Sequence, residues 1–197
     1  MSDFWIYFKI GLKHLWNIHV YIDILFLWAL TVPYEFKSWK RILILVSLLT
    51  VGHALALMLS VFNVIAIKVA IVAFILPVIT LIVALYNIVT AGKSGKKDNI
   101  TFAAIATSLF GIIHGLGFSN YFNSIASGKP TDKLLPLFES AFGLCISQFV
   151  LIILALILAY VVQTLLKFSK RDWILIVSAL VVGVVLPMII QSEIWVK

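Results

Sequence analysis

Charge is scarce in this chain. Fifteen Lys and Arg and eight Asp and Glu make up 12% of its 197 residues, against about 25% in a soluble domain. The single cysteine, Cys145, excludes an internal disulfide and a cysteine-only metal cage. The first eighteen residues lack an apolar core followed by a small-residue cleavage site, so no cleavable signal is expected. No composition shift or long linker divides the sequence, and residues 1–197 read as a single integral-membrane domain. In place of charge stand apolar side chains, 63% of the total, with a mean hydropathy of +1.15. That balance predicts an all-α, polytopic bundle of transmembrane helices in a lipid bilayer.

A spanning helix needs about 20 mostly apolar residues. Six stretches meet or approach this: His19–Tyr34, Arg41–Phe62, Val64–Val89, Ile100–Phe122, Leu134–Leu166 and Trp173–Ile190. Before them, residues 1–18 read as an amphipathic segment. Phe4, Phe8, Leu12, Leu15 and Trp16 share a helical face suited to the membrane interface. The net charge of +7 does not point to nucleic acid, because the basic residues fall in short clusters between apolar runs. Nine lie in the loops after spans one, three and five, and six lie on the other side. The richer side is assigned to the cytoplasm, with both termini outward. Pro77 should kink the third span.

Polar groups in the hydrocarbon region are costly and mark candidate functional sites. His53 stands in TVGHALALM, His114 in FGIIHGLGF and Asp23 in YIDILFLW. Neutral imidazole suits nickel, zinc or copper, and a carboxylate can complete or orient such a site. Simple hydrogen bonding between helices is the competing reading. Cys145 and Gln148 add donors on the fifth span, although a lone cysteine on an apolar helix is more often a small buried hydrophobe. His14 and His19 point about 140° apart on a regular helix, so His19 pairs better with Asp23, four residues on. Glu139 reads as an exposed interfacial carboxylate. Gly111, Gly115 and Gly183 offer surfaces for helix packing, within the chain or between copies or partners.

The stretches GLKHLWNIHVYIDILFLWALTVPY, TVGHALALMLS and FGIIHGLGFSNYF together resemble the HupE/UreJ family of bacterial membrane proteins. The likeness runs from about Phe8 to Gln148, and its most specific piece is FGIIHGLGF. It implies six spans in the inner membrane, an outward N-terminus, and a nickel-type permease or metal-handling accessory protein rather than an enzyme. His14, His53, His114 and Gln148 match positions of the family's pattern, which makes them, with Asp23 and Cys145, the expected metal set. There are departures. The Asp-His pair opening the first span corresponds to Ile22 and Asp23, a glutamate of the third span to Ala73, and an Asn and a Glu of the fifth to Ala141 and Cys145.

Those losses leave a second reading open, a non-transporting membrane subunit derived from a permease. A third is a haem protein with His53 and His114 as axial ligands. An intramembrane hydrolase ranks below both. No serine lies in a G-x-S-x-G setting, and Asp23 alone does not make an aspartyl dyad.

Overall fold

The computed structural model describes residues 3–15, 21–92, 100–126 and 128–195. Among the described residues 87% are helical and none lies in a strand. The seven α-helices are α1 (Asp3–His14), α2 (Tyr21–Thr31), α3 (Trp39–Val61), α4 (Val69–Thr90), α5 (Ile100–Ile125), α6 (Leu134–Thr164) and α7 (Lys170–Ile190). The five from α3 onward are long and apolar enough to cross a membrane. Pro77 lies inside α4 without ending it. Ser169 starts α7 by accepting the Asp172 backbone N–H at 3.1 Å, which satisfies one of the donors that a helix N-terminus leaves unpaired.

The first expected span is built in two pieces. Only eleven residues form α2, too few to cross alone. Tyr7 and Ile10 of α1 cluster with Leu137 of α6, Gly11 meets Ser140 and Leu144, and Trp28 and Val32 of α2 cluster with Ala159. Both helices therefore run in the direction of α6, α1 beside its first half and α2 beside its second. The amphipathic segment thus docks lengthwise on another helix. Its glycine explains why: Gly11 sits on the Ser140 carbonyl, and Gly143 of α6 sits on the Phe8 carbonyl. Each glycine removes the side chain that would hold the two backbones apart.

A second glycine crossing joins α3 to α5. Gly111 meets the backbone of Leu49, Gly115 meets that of His53, and Gly52 faces Ser108 and Ile112. The pairing of 49 with 111 and 53 with 115 makes α3 and α5 parallel. On the outer side, α4 packs on α7 in antiparallel fashion, with Gly92 beside Arg171 at one end and Phe74 on Trp195 at the other. Directions then alternate as α1/α2 up, α3 down, α4 up, α5 down, α6 up and α7 down.

That alternation gathers the ends of α2, α4 and α6 on one side of the bundle, which carries Lys37, Lys40, Arg41, Lys167, Lys170 and Arg171 of the richer set. There Lys170 and Lys37 both donate to Glu35, at 3.0 and 2.7 Å. Gly92 takes a φ of 77° as α4 closes, a conformation that favours glycine.

Candidate metal centre

Four residues from separate elements meet in the middle of the bundle. His14 is the last residue of α1, Asp23 lies in the first turn of α2, and His53 and His114 lie midway along α3 and α5. Asp23 is 3% exposed, His53 1% and His114 6%. The glycine crossing of α3 on α5 sets the last two side by side, since Gly115 follows His114 and rests on His53's own carbonyl.

Three donor atoms form a triangle. His14 Nε2 is 3.0 Å from His114 Nε2, which is 3.1 Å from Asp23 Oδ2, and the third side is 3.7 Å. A four-coordinate ion bound at about 2.0–2.1 Å sets its ligand atoms about 3.3–3.4 Å apart. The triangle has that size. Its chemistry fits too, because two imidazoles and one carboxylate suit divalent first-row metals.

The polar atoms are poorly served without a cation. Two imidazole nitrogens at 3.0 Å need a proton or a metal between them. Neither carboxylate oxygen of Asp23 finds an aligned hydrogen-bond donor among the described residues, although His114 Nε2 comes close. A buried, unaligned carboxylate is expensive in a low-dielectric bundle. A divalent ion in the triangle would offset both problems.

His53 stands behind the triangle. Its Nδ1 is 3.2 Å from His114 Nδ1, so one of the two donates and the other accepts. With the proton on His114 Nδ1, the Nε2 lone pair points to His14 and Asp23. The contact holds the ring orientation of its neighbour, as groups behind metal-bound imidazoles do. The same 3.2 Å contact is closer than two axial nitrogens stand across a haem iron, which counts against the haem reading.

The other expected donors lie elsewhere. Gln148 accepts from Thr50 Oγ1 at 3.0 Å, tying α6 to α3. Cys145 is partly buried against the apolar core, and the cluster of convergent donors does not include it. Glu139 is buried, at 8% exposure, in contrast to the exposed position expected, because it lies on the stretch of α6 that α1 covers. His19 falls outside the described residues; Asp23 faces His114 and His14 instead. Gly111 and Gly115 are used up within the chain, whereas nothing lies within 4 Å of a Cβ at Gly183.

Residue types alone did not reveal Phe118, whose ring lies 4.7 Å from that of His14 and 5.4 Å from that of His53. Its spacing of four from His114 was the available signal.

No curated protein and no solved structure matches the chain. The family model described as HupE / UreJ protein does, over residues 1–192. An all-helical bundle of membrane-type helices, gathered around intramembrane histidines that include the glycine-flanked His114, therefore belongs to the HupE/UreJ family.

Proposed function

We propose that this protein carries a divalent transition metal across a membrane, nickel being the ion that the family likeness implies, with His14, Asp23 and His114 as its ligands. The observation that carries the reading is the convergence of two imidazole nitrogens and a carboxylate oxygen from three helices into a triangle of metal-binding size. A carrier needs a site that binds without a full cage. Three protein ligands leave coordination positions for water, so the ion can enter and leave by exchange. The reading places the chain in a bacterial inner membrane with the basic end in the cytoplasm. The residues act as ligands for a cargo, with no reaction to catalyse.

Elemental analysis of detergent-purified protein equilibrated with nickel, zinc or copper tests it. Near-stoichiometric metal is expected in the wild type, with background levels in Asp23→Asn and His114→Ala. Metal-free wild type, folded by circular dichroism, overturns the site. Stoichiometric binding without uptake into proteoliposomes would instead favour the non-transporting subunit.

A further inference from the structure

Aromatic rings close the metal centre along the bundle axis, and they do so differently on its two sides. On α5, Phe110, His114 and Phe118 recur every four residues, which sets them on successive turns of one face. Phe118 covers the centre on the side away from the basic end, edge-on to His14. On the basic side, Phe110 stacks on Phe26 of α2, with centroids 3.8 Å apart and planes within 10°. The two rings are 1% and 0% exposed. Each is tied to a ligand through its own helix, since Phe110 is one turn from His114 and Phe26 is three residues from Asp23.

Polar groups resume beyond the stack. Thr107, nearly one further turn toward the basic end, is 0% exposed, and its hydroxyl has no partner among the described residues. Asn87 donates to the Ala29 carbonyl at 2.6 Å, one turn past Phe26 on α2. A buried hydroxyl without a partner is costly in a packed interior, and such a group marks a place that water or an ion visits. A hydrated cation cannot pass between two rings in van der Waals contact. To leave toward the basic end, it needs the rings to turn or α2 to part from α5.

We infer that the Phe26–Phe110 stack is the gate on the basic side of the metal centre, the barrier between the His14, Asp23 and His114 ligands and the polar groups beyond. The inference rests on the carrier reading and adds to it a pair of residues that touch no metal. Phe26 and Phe110 set how fast the ion escapes, while affinity stays with the ligands.

Proteoliposomes holding the full chain, with nickel outside and a nickel-quenched dye inside, supply the test. Metal content of the same preparations is measured in parallel. Phe110→Leu, Phe110→Ala and Phe26→Ala should each load nickel as wild type does. Each should pass it several-fold faster, with Phe110→Ala ahead of Phe110→Leu. The leucine variant keeps most of the packing volume, so it guards against loss of the fold. Nickel-loaded variants whose rate equals or falls below that of wild type overturn the gate and leave the carrier reading standing. A wild type that binds no nickel overturns both, because the stack then has no ion to hold back.

Discussion

The pairing of α3 with α5 and the pairing of α4 with α7 are both long helix contacts, yet they are built from different material. Where α3 crosses α5, Gly52, Gly111 and Gly115 let backbone rest on backbone. Two imidazoles emerge beside the contact. Where α4 meets α7, aliphatic residues such as Val83, Ala84, Val181 and Val185 fill the interface, and the glycine of α7 faces open space. In lipid, helices gain little from hiding apolar surface and associate by packing and polar contacts. The aliphatic pair therefore only needs to fit. The glycine pair must fit and also leave room for His53 and His114 to meet at 3.2 Å. Close approach at one turn of the helix is what makes a polar cluster possible at the next.

The strongest way to break this contrast is Gly115→Leu. A side chain there runs into the His53 carbonyl, which is backbone and cannot turn aside. Overpacking of this kind costs about 1–3 kcal/mol or more. A lower unfolding midpoint and loss of bound nickel are expected together. Retention of both would show that the crossing is loose.

His53→Ala sharpens the contrast between ligand and support. With His14, Asp23 and His114 left in place, nickel affinity should fall by about 10–100-fold, the usual cost of losing a group that orients a metal-bound histidine. Titration calorimetry would read this. Complete loss of binding would make His53 a ligand, and no change would make it simple packing.

Gly183→Ala should act in the opposite direction. Nothing surrounds that position, and alanine in place of a mid-helix glycine stabilises by roughly 0.5–1 kcal/mol. Destabilisation on thermal unfolding would mean that this face is occupied in the membrane.

The smallest effect belongs to the basic end. Hydrogen bonds from Lys37 and Lys170 hold the Glu35 carboxyl below its usual range. The stability it contributes is complete above the ordinary carboxylate range and is lost as pH falls through the lowered value. Solvent screens this exposed cluster, so Glu35→Gln should shift the unfolding midpoint at pH 7 by about 1 °C or less and by nothing in acid.

Much of the bundle was legible because hydrocarbon imposes simple rules. Runs of apolar residues gave the five long helices to within several residues, and the rarity of mid-span histidines singled out His53 and His114. The first span was harder to read. Continuous hydropathy from Val20 to Val32 says nothing of a helix that covers only Tyr21–Thr31, with α1 continuing it along α6. The place of His14 came from the family likeness alone, since its own surroundings read as interfacial. Glu139 was misjudged for the same reason. Its burial depends on a helix more than a hundred residues away, docked through Gly11 and Gly143, and no local pattern carries that information. Gln148 likewise found its partner Thr50 across 98 residues.

The order of α1 and α2 at the centre has an electrostatic consequence. Aligned peptide units give a helix about half a positive charge at its N-terminus and half a negative charge at its C-terminus. The C-terminal end of α1 is at His14, so its last carbonyls add negative potential at the triangle. The N-terminal turn of α2 holds Asp23, so the opposite pole lies beside that carboxylate. A cation seated at the triangle would therefore meet the carbonyl end of α1 on one side and, on the other, the amide end of α2 with its Asp23 carboxylate.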